Sequence, residues 1–291
     1  VTSPIPTTLL CGFLGSGKTT RINRLIADGA IADALFLVND FGRINIDAEL
    51  IESRDDAILR LTNGCACCGI ASNVSAQLRD ICAWPKPPAE LVFEASGIAE
   101  PRPLMQLLDA ARGYRLAHAE TLVDASAFAS HHADTAINDI VVAQIREVSH
   151  LRINRADWLS SAAREQVIQD ITRLNKSAEL IIEASGQPPP RPAMKARTHK
   201  ADSAGTLVTR SVTFGGPVDI AAAEALLQEA TPALIRAKGL LQAIDETCYV
   251  VQLAGGRLAL TASRARATRA LVLIGHDSDA MAHLVTSLRQ L

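Results

Sequence analysis

The 291-residue sequence carries no surplus of charge: 29 Lys and Arg stand against 31 Asp and Glu, a formal net charge of −2. No basic field exists to draw in nucleic acid or anionic lipid. The densest basic stretch, Arg191 to Lys200, lies in a Pro-rich segment and reads as a solvated linker. No run of about eighteen apolar residues occurs, so no membrane span is expected. The opening VTSPIPTTLLCGFLG lacks a positive start and its apolar run is short, so no secretory leader is expected. Six cysteines in a chain of this length do not make a disulfide framework. A cytoplasmic chain is expected, in which clustered cysteines bind metal or react. No H-x-x-x-H type spacing joins the histidines into a site, and there is no internal repeat.

What is present is alternation. Candidate strands at 7–11, 34–38, 57–61, 90–95, 119–125, 149–154 and 178–182 are separated by helical patterns at Lys18 to Ala27, Ser72 to Ala83, Arg102 to Ala110, Ala133 to Arg146 and Ser160 to Leu174. Such alternation predicts an α/β domain, a mainly parallel sheet sandwiched by helices. Near-continuous apolar strands fit a sheet covered on both faces. The segment GQPPPRPAMKARTHKADSAG at 186–205 breaks the pattern with four prolines and reads as a linker. Beyond it, strands near 206–214, 235–244, 248–253, 257–261 and 270–275, with helices at 219–230 and 279–290, predict a small α+β domain. The expected division is 1–185, 186–205 and 206–291.

GFLGSGKTT, from Gly12 to Thr20, follows a strand and opens a helix. It fits the phosphate-loop pattern G-x-x-x-x-G-K-T. Glycines at Gly12, Gly15 and Gly17 let backbone N–H groups turn inward, together with that of Ser16, to cradle phosphate oxygens. The helix N-terminus adds partial positive charge. Lys18 is expected to reach the β- and γ-phosphates and the hydroxyl of Thr19 to hold Mg²⁺, with Thr20 beside it. VFEASG ends a strand on Glu94, with Gly97 three residues on. Glu94 is placed to serve the Mg²⁺ shell, and the Gly97 N–H to sense the γ-phosphate. INRAD closes another strand. Asn154 and Asp157 have the spacing of a guanine-reading element, in which an Asp carboxylate accepts from the N1–H and N2–H of guanine, donors that adenine lacks. Arg155 stands where that element has Lys, and its guanidinium plane is suited to stacking. An ordinary strand-to-helix turn is the plain alternative.

LTNGCACCGIAS, residues 61–72, holds Cys65, Cys67 and Cys68 between Gly64 and Gly69. Closely spaced thiolates suit Zn²⁺ or another borderline ion. A redox pair and plain packing remain the other readings, metal being favoured. Three thiolates leave a fourth position open, which suits delivery of an ion. Cys11, Cys82 and Cys248 stand alone on strands or helices and read as small apolar residues. His131 and His132 are expected to be exposed.

Taken in order, Gly17-Lys18-Thr19-Thr20, Asn39-Asp40-Phe41-Gly42, Cys65-Ala66-Cys67-Cys68, Glu94-Ala95-Ser96-Gly97 and Asn154-Arg155-Ala156-Asp157 resemble the motif set of the CobW family of metallochaperone GTPases. The resemblance runs into the last domain through IRAKGLL and ALVLIG. It implies a P-loop GTPase using GTP and Mg²⁺, with Zn²⁺ or Co²⁺ as cargo at the cysteine loop, a client metalloprotein as partner, and a homodimer as one possible assembly. It also implies a metal or switching role for Asp40, which replaces the family's Glu, and a role for Asp47 in positioning water or the Mg²⁺ shell. The linker has only His199 where the family carries a His-rich stretch, so metal storage is not expected. A GTP-binding metal sensor without hydrolysis, and an ATP-dependent kinase with a redox loop, are the alternative functions.

Overall fold

The computed structural model describes residues 3–28, 33–38, 58–60, 70–184, 206–263 and 269–291. They fall into two compact units. One is drawn from Val1–His132 and Asn138–Ser185, the other from Ala133–Ile137 and Gly186–Leu291.

The first unit is built on a seven-stranded sheet. Its strands are β1 (Ile5–Cys11), β2 (Ala34–Val38), β3 (Ile58–Arg60), β4 (Glu90–Glu94), β5 (Tyr114–Asp124), β6 (His150–Asn154) and β7 (Glu179–Ile182). They lie in the order β3-β2-β4-β1-β5-β6-β7, and every pairing is parallel. Helices α1 (Lys18–Ala27), α2 (Ile70–Cys82), α3 (Pro101–Ala110), α4 (Ala125–Ala133), α5 (Asn138–Arg146) and α6 (Ser161–Leu174) connect them. The all-buried ALFLV of β2 and the fully buried Leu91, Val92 and Phe93 of β4 belong to a sheet covered on both faces, as its apolar runs predict. β1 lies between β4 and β5, so the chain leaves it toward one side and later returns to the other. The strand ends at such a reversal form a crevice where ligands bind.

Two local expectations change. The helix predicted from Ala133 to Arg146 begins at Asn138, as α5, and a separate helix not predicted, α4, precedes it at Ala125–Ala133. Between them Asp134 Oδ1 accepts from Ala136 N at 3.0 Å and its carbonyl accepts from Ile137 N at 3.1 Å. This side-chain-to-backbone turn competes with continuing the helix. β5 begins at Tyr114, five residues before the predicted start at 119. Its first half alternates in exposure while its second half is fully buried, so only the second half carries the apolar run visible in sequence.

The second unit is a five-stranded antiparallel sheet, β11-β10-β9-β12-β8. It comprises β8 (Leu207–Thr213), β9 (Leu234–Gln242), β10 (Cys248–Ala254), β11 (Arg257–Ser263) and β12 (Ala270–His276). Helices α7 (Ile220–Glu229) and α8 (Asp279–Leu288) share a core with it. Ala223, Leu227, Leu284 and Leu288 of the helices meet Val212, Leu241, Val251 and Leu271 of the strands. These apolar positions recur with period two along the strands and three to four along the helices, which is why the element types were legible. Among the described residues, no helix is long and apolar enough to cross a membrane.

Candidate nucleotide site

Strand β1 delivers the chain to Gly12 at the sheet's C-terminal edge. Gly12, Gly15 and Gly17 all have positive φ, at 137°, 78° and 99°. A Cβ on Gly12 would lie 2.5 Å from the carbonyl oxygen of Leu122 and 2.5 Å from Ser16 Oγ, so no other residue fits there. Gly17 is the N-cap of α1. It has no side chain to cap the helix, and the first turn holds no acidic residue. No Gly17 side chain competes for the first backbone N–H groups of α1, and the positive end of the helix dipole lies behind them. Lys18 is buried, and its Nζ donates to the carbonyls of Gly12 at 2.7 Å and Phe13 at 3.3 Å. Ser16 is buried, Thr19 half-buried and Thr20 exposed. Burial pushes the Cys11 thiol up to about 12, against the opposing pull of Lys18. It is a neutral packing residue, as its isolation in the sequence predicts.

Glu94 ends β4 opposite Leu10 of β1 and is 3% exposed. The chain then turns, with Ala95 N donating to Leu10 O and Ala99 N to Ser96 O, each at 2.9 Å. A Cβ on Gly97 would meet Leu14 Cδ2 at 2.5 Å. The loop after Glu94 therefore rests directly on the phosphate loop, and glycine permits that approach.

Asn154 ends β6 and Arg155 follows it. Asn154 Nδ2 donates to Ser16 O at 2.7 Å; its Oδ1 is buried with no hydrogen-bond partner. Arg155 has left-handed backbone, φ 54°. Its Nη1 donates to Gly15 O at 3.0 Å and pairs with Asp124 Oδ2, while Cζ sits 5.3 Å from the centroid of the Trp158 ring. Asp157 is exposed on the 3-10 turn Ala156–Trp158. Asn154 and Arg155 are thus fastened to the phosphate loop by two side-chain bonds, with the exposed residue Asp157 three positions beyond Asn154.

A buried ion network underlies this edge. Arg152 of β6 holds Glu120 of β5 through two bonds of 2.8 and 2.9 Å. Arg21 of α1 lies 3.6 Å away, and His118 3.5 Å. Burial by itself would raise the Glu120 pKa. The hydrogen bonds from His118 and Arg152 and the charges of Arg152 and Arg21 outweigh it, holding the group at about 2. Glu183, just past β7, bridges Arg152 and Arg24 of α1 at 2.6 and 3.2 Å.

Two participants were not singled out in sequence. Asp124, which anchors Arg155, is an acid closing an apolar strand, a signal open to notice. Gln144 of α5 donates through Nε2 to the carbonyls of Gly97 at 3.2 Å and Ala99 at 2.9 Å. Its signal is an amide inside the buried stripe Val141, Gln144, Ile145, Val148. His132 is exposed, as expected, but His131 is half-buried, its ring edge-on to Phe13 at 4.8 Å. Asp40, Asp47, Cys65, Cys67, Cys68 and the linker 186–205 lie outside the described residues. Among the described residues no group of three or more His, Cys, Asp or Glu is arranged to hold a metal ion.

A glycine-rich loop between a central parallel strand and an uncapped helix, at the point where the strand order reverses, defines a P-loop nucleotide-binding protein. The chain belongs to the CobW/HypB/UreG family: that family's nucleotide-binding domain profile matches residues 6–183, and the cobalamin synthesis protein cobW C-terminal domain profile matches residues 207–291. It is 31% identical over 186 residues to the zinc chaperone YjiA of Escherichia coli (strain K12), covering 60% of this chain and 56% of that protein. It is 28% identical over 208 residues to the zinc chaperone CobW of Sinorhizobium sp, covering 62% of this chain and 59% of that protein. The chain thus spans little more than half the length of these curated relatives. Among solved structures, the Zn(II)-bound YjiA GTPase from E. coli is 21% identical and superposes with a TM-score of 0.43, over 99% of this chain and 98% of that one.

Proposed function

We propose that this chain is a GTP-hydrolysing metal chaperone, which carries Zn²⁺ or Co²⁺ at Cys65, Cys67 and Cys68 and passes it to a client metalloprotein. The observation that carries the reading is the fastening of Asn154 and Arg155 to the carbonyls of Ser16 and Gly15, which ties a base-reading element to a phosphate cradle. The family membership and the relatives described as zinc chaperones support the cargo.

The residues present fit a nucleoside triphosphate and its Mg²⁺. Positive-φ glycines and the uncapped helix supply donors, and Lys18 supplies a cation already held over the loop. Thr19 at the start of α1 and the buried Glu94 would hold the Mg²⁺, which would neutralise charge on the β- and γ-phosphates. In this reading Lys18 exchanges its carbonyl partners for phosphate oxygens. The N–H of Gly97 meets the γ-phosphate, and Asp47 orients the attacking water. Asp157 accepts from the guanine edge, Asn154 holds loop and base together, and Asp40 joins the thiolates. Bound GTP would bring Cys65, Cys67 and Cys68 together, and hydrolysis would release them and their ion. Residues 186–205 link a nucleotide-binding domain, 1–185, to a C-terminal domain, 206–291.

The test is a metal titration with and without a non-hydrolysable GTP analogue, alongside multiple-turnover phosphate release. Metal affinity should rise roughly 5- to 150-fold with the analogue. By linkage, metal should tighten the analogue by the same factor. Cys67→Ser/Cys68→Ser should lose the metal and the coupling while keeping GTP. Equal metal affinity in both states would end the claim of nucleotide control. Binding of GTP without turnover would make the protein a sensor instead, and ATP outcompeting GTP would point to a kinase.

A further inference from the structure

Helix α5 and the residues just after it bury Val141, Gln144, Ile145 and Val148, a stripe at the spacing of one helix face. Three are aliphatic and one is an amide, itself 1% exposed. A buried amide is unfavourable unless its groups are bonded. Gln144 is bonded only at one end. Its Nε2 reaches the carbonyls of Gly97 and Ala99, whereas Oε1 is buried with no partner. Both partners are acceptors, so the donor end of the amide must face them. Leu or Met would fill this place as well in volume but would take away the donor that the Gly97 and Ala99 carbonyls have here.

The contact is part of a larger brace. Glu147 Oε2 accepts from Arg102 N at 2.9 Å, where α3 starts. Thr121 Oγ1 donates to the carbonyl of Gln144 at 2.7 Å, joining α5 to β5. The chain from Gly97 to Arg102 is therefore held by α5 and the residue following it. Its other side, at Gly97, rests on Leu14 of the phosphate loop. Leu14, Ser16 and Gln144 line one cavity, where Ser16 Oγ is also buried without a partner. Glycine has the widest choice of φ and ψ of any residue. The Gly97 N–H shares its peptide plane with the Ser96 carbonyl, which accepts from Ala99 N at 2.9 Å; by holding the Gly97 and Ala99 carbonyls, Gln144 steadies the turn that sets this plane.

We propose that Gln144 is a positioning residue that lets the site tell a nucleoside triphosphate from a diphosphate: it aims the Gly97 N–H at the third phosphate and couples α5 to the presence of that phosphate. The inference rests on the reading of this loop as a GTP site. Gln144→Met removes the donor and keeps the volume; Gln144→Glu sets a carboxylate against two carbonyls.

Affinities for GDP and for a non-hydrolysable GTP analogue are measured on both variants and the parent. GDP affinity should stay unchanged, while analogue affinity falls at least about fivefold, the lower edge of ordinary coupling between sites. Equal losses for the two nucleotides would mean a merely structural role and overturn the proposal, as would no loss. Hydrogen exchange on the unaltered protein tests it without any substitution. Amides of residues 97–99 and 138–146 should gain protection with the analogue and not with GDP; no gain at 138–146 overturns it. A parent that binds neither guanine nucleotide would overturn the reading of the site itself, and this inference with it.

Discussion

Helices α1 and α7 begin in opposite ways. At α7, Asp219 Oδ1 accepts from Ala221 N at 2.9 Å and Ala222 N at 3.2 Å. The same kind of cap closes α6, through Ser160, and α8, through Ser278. At α1 the corresponding place is Gly17, with no side-chain cap and no acid in the first turn. A helix leaves its first four N–H groups unsatisfied, and a cap residue typically contributes about 1 kcal/mol by accepting from them. At α3, which also lacks a local cap, the carboxylate of Glu147 takes that part by accepting from Arg102 N at 2.9 Å, whereas the start of α1 has no side-chain cap. The contrast sets helix starts closed by a side-chain acceptor against one whose cap position is a glycine of the phosphate loop.

The comparison can be broken at the open end first. Lys18→Ala should lower phosphate release by roughly 10²- to 10³-fold, because the loop loses the ammonium held at its Gly12 and Phe13 carbonyls. Release within tenfold of the parent would place the active centre elsewhere.

The next largest effect concerns the charge network beneath α1. Glu120 titrates at about 2 in the folded protein against an ordinary 4.5. A depressed carboxyl stabilises the fold above its unfolded value and loses that contribution as pH falls through the folded one. Between pH 4.5 and 2 the parent should therefore lose on the order of a hundredfold in its folding equilibrium through this group. Glu120→Gln, less stable at neutral pH, should converge on the parent across the same window in denaturant titrations. Parallel curves for the two proteins would remove Glu120 as the group responsible.

Asp157→Asn comes third. It should shift the ratio of GTP to ATP affinity by roughly 10- to 100-fold, the range expected for losing hydrogen bonds to a charged group. An unchanged ratio would leave the turn after β6 with no part in base recognition. The smallest effect belongs to the closed end: Asp219→Ala should cost about 1 kcal/mol of stability and leave nucleotide affinity alone. A change in nucleotide affinity would show that the capped end is not purely structural.

The sequence by itself determined the parallel α/β layering, the α+β unit after it, and the phosphate loop with its glycines. Each is written in a local pattern: apolar runs, helical spacing, or residues whose backbone freedom only glycine supplies. The motif ends Glu94, Gly97, Asn154 and Asp157 were legible for the same reason, being fixed offsets at the ends of apolar strands. Only the tertiary structure decided that Asp124 holds Arg155, that Gln144 holds the carbonyls of Gly97 and Ala99, that Gly97 rests on Leu14, and that a turn at Asp134 delays the predicted helix to Asn138. The turn at Asp134 is local, but its side-chain bonds compete with a helical spacing that looks unbroken in sequence. The other contacts join residues 31, 47 and 45 positions apart for the two side-chain anchors, and Gly97 with Leu14 across neighbouring strands. Such bonds leave no period in the sequence, because they depend on which strand ends the sheet order brings together rather than on any spacing along the chain.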